Sequence, residues 1–119
     1  MILDDIGMYL QGMGYGKLGE TLFLQFKPDN KDCIVIWLTG GNPPRTDLDI
    51  DTYIIQIRVI NKNFSVGYEK IKNIKNELHD KLLHLTSNVY AKAYTEITSW
   101  FEEERWSFVI NFELTMRRL

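Results

Sequence analysis

The sequence contains one cysteine, Cys33, among 119 residues. One thiol cannot form an internal disulfide, and no C-x-x-C pair is present, so a disulfide scaffold is excluded and a reducing, intracellular origin is the simplest expectation. Cys33 stands at the head of an apolar stretch with no histidine near it in sequence. We therefore expect a buried, inert thiol rather than a nucleophile.

Long apolar runs and a strong charge of one sign are also missing. No stretch approaches the roughly 18 apolar residues of a membrane span, and Asp4 and Asp5 stand where a signal peptide would be basic, so we expect neither membrane insertion nor secretion. A net charge of −2 provides no basic field for specific nucleic-acid binding. With 45% hydrophobic residues, residues 1–119 are expected to form a single globular domain.

Signatures of cofactor binding are weak. Gly14–Gly19 matches the letters G-x-G-x-x-G, but the dinucleotide fingerprint needs a strand before it and a helix after it, and the predicted order here is the reverse. His79 and His84 lie five residues apart on a predicted helix, so they do not share a metal-facing side. We predict no cofactor and no catalytic residue.

Three carboxylates, Asp47, Asp49 and Asp51, alternate like the first half of a calcium loop. The glycine and glutamate that an EF-hand requires at later positions are replaced by Thr52 and Arg58. A loose Mg²⁺ or Ca²⁺ site remains an alternative to a solvated loop.

Two periodicities give the fold. Residues 52–61 alternate with a period of two, which predicts a strand with one apolar face and one mixed face that carries Gln56 and Arg58. Apolar residues then recur every three or four positions up to Leu85, which predicts a helix over about residues 65–85 with Ser65 as its N-cap.

The other segments complete an α+β fold. Helical spacing predicts a short N-terminal helix over residues 2–13. Apolar alternation predicts four more strands, over residues 20–26, 33–39, 88–98 and 106–117. We predict a single mixed or antiparallel sheet of about five strands, with the long helix and the short N-terminal helix packed on one face. Residues 40–51 form a long, Pro-containing connection of the kind that is usually functional or disordered.

Three segments carry a family resemblance. Ile34–Pro44 followed by Arg45 is an apolar strand running into a Gly-Gly, Pro-containing loop, and Tyr53–Val59 is a Q-x-R strand. Glu103–Glu113 is an acidic-Arg segment followed by an N-F-x-L strand that Leu114 completes. In this order and spacing they resemble the minor capsid/tail-terminator family of long-tailed bacteriophages. The segment 97–101 lacks the proline and glycine often found in that family.

The resemblance implies a structural virion protein without catalysis. It implies a homo-oligomeric ring, a hexamer, that caps the finished tail tube, ends tail elongation and offers the surface to which the head connector docks. The implied partners are the tail tube protein and the head connector or completion protein, with DNA passing through the ring lumen. The implied location is the head-proximal end of the tail, reached after assembly in the host cytoplasm.

Contact residues between subunits or to the tube are expected in and around the long connection and the segment 100–105. Surplus aromatic residues, charges of opposite sign and the mixed face of the 52–61 strand suggest them. The candidates are Arg45, Asp47, Asp49, Asp51, Gln56, Arg58, Trp100, Phe101, Arg105, Arg117 and Arg118. Replacing Arg45 and Arg105 by glutamate is expected to weaken rings while leaving monomer melting nearly unchanged.

Two other functions remain open from the sequence. One is a head-completion or neck protein of the same virion, which gene neighbourhood would distinguish from a terminator. The other is a small cytoplasmic nucleotide-binding protein or enzyme subunit that uses the glycine loop and the carboxylates.

Overall fold

The computed structural model describes residues 2–41 and 50–117 of the chain, with Arg117 described by its backbone. In this part of the chain two helices and seven strands follow one another. They are α1 (Ile2–Gly12), β1 (Leu22–Leu24), β2 (Cys33–Gly41), β3 (Ile50–Asn61), α2 (Phe64–Leu78), β4 (Lys81–His84), β5 (Asn88–Ala93), β6 (Thr98–Glu102) and β7 (Arg105–Arg117).

All seven strands belong to one mixed sheet with the order β1-β2-β3-β7-β5-β4. The β1–β2 pair is parallel, and every other pairing is antiparallel. The mixed α+β sheet is confirmed, but the prediction of about five strands was too low. β3 and β5 run in the same direction, as expected across a helical crossover, with β7 between them.

The longest strands, β3 and β7, form the centre of the sheet. They pair without interruption from Ile50↔Arg117 to Asn61↔Trp106. The opposite edge of β7 is shared: β6 pairs with its first half and β5 with its second half. One strand therefore connects both halves of the molecule, which accounts for the unusual length that its alternating sequence predicts.

Both helices cover one face of this sheet. Their apolar stripes join alternate residues of β2, β3, β5 and β7 in a single buried cluster, in agreement with the predicted packing. The Tyr9 hydroxyl donates a hydrogen bond of 2.9 Å to Glu77 Oε1, which ties α1 to α2. The sheet's other face carries no helix among the described residues, and the buried residues there include a small cluster of Cys33, Val35 and Ile60. We call this side the helix-free face.

The long helix is shorter than predicted. Its N-cap is Asn63 rather than Ser65, because the Asn63 side chain accepts a hydrogen bond from the Val66 amide at 3.1 Å. The helix ends at Leu78, since His79 is extended and Asp80 takes a left-handed φ of 58°.

The predicted helix over 65–85 is therefore wrong beyond residue 78, where β4 begins after the turn. In β4 the side chains alternate between the two faces, so Leu83 is buried and Leu82 is exposed. Leu82 fits the helical spacing of the sequence, but its side chain lies opposite Tyr90 in the β4–β5 pair.

Two predicted strands also change. Residues 88–98 are not one strand: β5 ends at Ala93, and β6 begins at Thr98, beyond the bend at residues 94–97. The segment 100–105, where the sequence predicts contact residues, is the end of β6 and its turn into β7. The predicted strand 20–26 is reduced to the three residues of β1.

Gly67 allows α2 to approach the sheet closely. A Cβ at this position would lie 2.5 Å from Phe108 Cε2 and 3.1 Å from Asn61 Cβ. The Phe108 ring is fully buried, so an added methyl group would crowd it, and Gly67→Ala is expected to lower the free energy of unfolding by about 1–3 kcal/mol. Chemical denaturation measures this change.

Gly12→Ala is the matched control, because a Cβ there would meet no atom within 4 Å. Alanine at the end of α1 should leave stability unchanged or raise it by up to about 1 kcal/mol. Equal destabilisation by the two substitutions would contradict the close packing of α2 on β7.

Candidate functional site

The register of β3, β7 and β6 brings separate polar and aromatic residues together on the helix-free face. Arg58 lies opposite Val35 on one side and Val109 on the other, and Val109 lies opposite Thr98 of β6. Alternation then places Gln56, Trp100 and further residues of these strands on the same face. The mixed face that the sequence predicts for β3 is therefore the centre of the candidate site.

Arg58 lies between two tryptophans. Its guanidinium carbon is 4.9 Å from the ring centroid of Trp37 on β2 and 4.9 Å from that of Trp100 on β6. Contacts of this length are attractive cation–π interactions. We call these three residues the Trp–Arg–Trp stack.

The guanidinium has no polar partner in the described part of the chain. Its Nε atom is buried without a hydrogen bond, and no ion pair to Arg58 is found there. Burial lowers the pKa of Arg58 from its ordinary value, whereas the charge of Glu102 acts in the opposite direction. The guanidinium is thus partly desolvated, and its N–H donors have no acceptor among the described residues.

Neighbouring polar groups on this face are better satisfied. Gln56 Nε2 lies 3.5 Å from Asn111 Oδ1, and Thr95 Oγ1 accepts from the Asn111 amide at 3.1 Å. The Trp100 indole donates to Glu102 Oε2 at 2.9 Å, which fixes the indole against Arg58.

Arg105 forms an ion pair within the chain. Its Nε donates to Asp32 Oδ1 at 3.0 Å, and its side chain is 13% exposed. The same Asp32 oxygen accepts from the Lys62 amide at 3.1 Å. Lys27 and Glu103 form a second bridge of 3.1 Å nearby, so two ion pairs connect the β1–β2 turn to the β6–β7 hairpin.

The turn of the β6–β7 hairpin is strained. Glu102 pairs with Arg105, which leaves Glu103 and Glu104 as the two turn residues, with φ values of 53° and 64°. Two-residue hairpin turns with positive φ at both positions favour Asn and Gly, because other side chains are crowded in this conformation. Two exposed glutamates therefore occupy a turn that suits other residues better.

The double substitution Glu103→Asn with Glu104→Gly is expected to raise the free energy of unfolding by about 1–2 kcal/mol. The loss of the exposed Lys27–Glu103 bridge offsets less than about 1 kcal/mol of this gain. Thermal melting provides the measurement, and a lower melting temperature would contradict the turn conformation. Glu20→Asn, in an exposed loop, is a control for the loss of a surface carboxylate.

Ten of the eleven predicted contact residues separate into three groups, and Phe101 lies apart from them. Gln56, Arg58, Trp100 and Arg105 share the helix-free face. Asp51 lies at the start of β3 opposite Met116, and Arg117 closes the same ladder opposite Ile50. The remaining candidates lie outside the described residues: Arg45, Asp47, Asp49 and Arg118.

Phe101 points to the opposite face, where its ring lies 5.2 Å from Trp106. Trp106 contacts Phe64 at 4.9 Å, and Phe64 stacks on Tyr68. This aromatic cluster lies at the start of α2, and Phe101 is 57% exposed. It is a second apolar surface, separate from the Trp–Arg–Trp stack.

Sequence reasoning missed Trp37 and Asp32 as parts of the site. Trp37 is one of the surplus aromatic residues of the sequence, and its alternate position on β2 is a signal that it shares a face with Val35. Its contact with Arg58 depends on the β2–β3 register, which the sequence does not specify. No local signal pairs Asp32 with Arg105, which is 73 residues away.

The other motifs behave as surface or connecting elements. The glycine loop follows α1 and precedes β1, the reversed order that the sequence predicts. His79 and His84 are exposed, and His84 belongs to β4 rather than to a helix. Among the described residues no group of three possible metal ligands occurs, and no helix there is long and apolar enough to cross a membrane.

Comparison with solved structures identifies the same fold in other proteins. A chain from the virion of a native gene transfer agent particle matches 83% of this chain and 80% of its own length, with a TM-score of 0.59 and 10% identity. A second solved chain matches 99% of this chain and 92% of its own length, also with a TM-score of 0.59 and 10% identity. No curated protein sequence matches.

The family model described as bacteriophage tail terminator protein matches residues 9–118, which includes every strand and α2. The match extends over far more than half of the chain, and it agrees with the resemblance carried by the segments around Trp37, Arg58 and Trp106. The chain therefore belongs to the bacteriophage tail terminator family, whose members are structural tail proteins.

Proposed function

We propose that this protein forms a hexameric ring that caps the finished tail tube, ends tail elongation and provides the docking surface for the head connector. The observation that carries the proposal is the family match over residues 9–118. The fold shared with a chain of a gene transfer agent virion supports it. The ring requires no catalysis and no cofactor.

Free strand edges support assembly by contacts between copies. β1 and β4 are the outer strands of the sheet, and β6 pairs only with β7 among the described strands. Such edges present unpaired backbone groups to which a neighbour can add. A contact between two different surfaces of identical subunits produces a closed ring when the rotation closes, which prevents unlimited growth.

The predicted contact residues fit such an interface in part. Gln56, Arg58 and Trp100 occupy the helix-free face, and Phe101 is exposed in the adjacent hairpin. Charges of opposite sign among the remaining candidates would set the register of neighbouring subunits rather than supply affinity. Those candidates are Arg45, Asp47, Asp49, Asp51, Arg105, Arg117 and Arg118.

An elongation assay tests the proposed function. Purified tail tube protein is first polymerised into short tubes, and the terminator-family protein is then added in excess. Further tube protein is added next, and tube length is measured over time. Tubes should stop growing at saturating protein. The matched control is protein that has been heat-unfolded at the same concentration.

Unchanged growth at saturating protein would contradict the terminator role. If the protein instead bound isolated heads and ignored tubes, the result would support the head-completion or neck role.

A further inference from the structure

The Trp–Arg–Trp stack has the chemistry of a receptor for a planar anion. The Arg58 guanidinium carbon lies 4.9 Å from the ring centroids of both Trp37 and Trp100, and its N–H groups are the donors that a ligand would meet. Those donors have no partner in the described chain, and Nε is buried. A guanidinium held in this way suits a carboxylate or phosphate, which accepts two parallel hydrogen bonds.

The surroundings favour a carboxylate from a protein over nucleic-acid phosphate. Glu102 and Glu113 lie on the same face of the sheet, and the net charge of the chain is −2. Phosphate backbones are bound through several cations in series, each of which releases counterions. A single arginine between two tryptophans, influenced by the carboxylate of Glu102, lacks that pattern.

The chain itself offers a carboxylate without a partner. Within the β6–β7 turn, Glu102 accepts from the Trp100 indole and Glu103 pairs with Lys27. Glu104 is exposed and forms no hydrogen bond or ion pair with the described residues. It also retains a strained φ of 64° where glycine would fit better. Strain of this kind is typical of positions whose side chain has a use outside the local fold.

Glu104 is distant from Arg58 of its own chain. Arg58 lies opposite Val109, and Val109 is four residues along β7 from the hairpin's closing residue Arg105. At about 3.3 Å per residue, this separation is about 13 Å, so the two side chains would have to extend fully toward one another to meet within one chain. In a ring, however, each copy can present its β6–β7 turn to one neighbour and its Trp–Arg–Trp stack to the other.

We propose that Glu104 of one copy binds Arg58 between Trp37 and Trp100 of the neighbouring copy. This contact rests on the ring proposed above and identifies one pair of residues within it. The carboxylate receives two N–H donors from the guanidinium, and the indoles exclude water from the pair.

A double-mutant cycle tests the contact. Arg58→Gln and Glu104→Gln are made singly and together, and the concentration at which rings form is measured by analytical ultracentrifugation, with tube ends added if required. Each single substitution should weaken association about 30-fold or more, because it leaves a desolvated charge unpaired. The double variant should be no weaker than the weaker of the two single variants.

Three controls separate this contact from general damage. Glu69→Gln removes an exposed carboxylate from α2 and should leave association unchanged. Arg58→Lys keeps the charge but loses the planar fork, so it should also weaken association. The melting temperature of every variant is measured, and only folded variants enter the cycle.

The outcomes distinguish the contact from the ring. If rings form and the losses of association of the two single variants multiply in the double variant, the Arg58–Glu104 contact is overturned. Unchanged association of folded Glu104→Gln would overturn it as well. Either result leaves the proposed function intact. Failure of the unmodified protein to associate, both alone and on tubes, would contradict the proposed function and the contact with it.

Discussion

Phe108→Ala is expected to lower the free energy of unfolding by about 3–5 kcal/mol, the largest effect of any substitution considered. Phe108 is 0% exposed in the first half of β7, where α2 packs on the sheet at Gly67. Its ring contacts Phe64 and Tyr68 with centroid distances of 5.1 Å and 6.2 Å. Alanine would leave a cavity beneath α2 that the long β3–β7 pair cannot close.

Thermal melting should show this loss as a decrease of about 10–20 °C in the melting temperature. Phe26→Ala is the matched control, because Phe26 is 60% exposed and contacts Phe23 alone among the described aromatic rings. It should change stability by less than about 1 kcal/mol. Similar losses for the two variants would contradict the assignment of Phe108 to the core.

Arg105→Glu is expected to destabilise the monomer by about 2–3 kcal/mol, because it places a carboxylate beside Asp32 in a mostly buried position. The sequence alone predicts a surface contact at Arg105 whose reversal leaves melting nearly unchanged. The structure changes that expectation, since the ion pair connects β7 to the turn before β2. Urea denaturation of purified monomer measures the effect.

Lys17→Glu is the control for reversal of charge in a surface pair. Lys17 and Glu20 lie 3.3 Å apart with side chains 69% and 63% exposed, so the reversal should cost less than about 1 kcal/mol. An Arg105→Glu monomer as stable as Lys17→Glu would mean that the Asp32–Arg105 pair contributes little to the fold. Arg105 would then be available for contact with other subunits.

The sequence predicts best those elements whose periodicity is long. The alternation from Trp106 to Met116 gives nearly all of β7, and residues 52–61 give most of β3, because one face of each strand is buried beneath α1 and α2. The start of α2 was correct within one or two residues, although Asn63 rather than Ser65 caps it.

The end of α2 was wrong because two patterns overlap. Leu82 and Leu85 continue the helical spacing, while the four residues of β4 are too short for alternation to be recognised. The deciding features are the left-handed φ of Asp80 and the pairing of β4 with β5, and neither is encoded by a glycine or a proline.

The sequence predicts the residues of the candidate site better than it predicts how they are arranged. Arg58 and Trp100 were both selected, one from a mixed strand face and the other from an aromatic surplus. Their contact requires that β7 lie between β3 and β6, which is a long-range property of the sheet. The sequence also grouped Phe101 with Trp100, although neighbouring residues of a strand point to opposite faces.

Imaging of tail tubes with and without the protein shows whether the protein forms a ring on the tube end. Negative-stain micrographs should show six-fold rings at one end of each tube in the presence of the protein and open ends in its absence. Protein that remains monomeric at every concentration and leaves both tube ends unchanged would contradict the account.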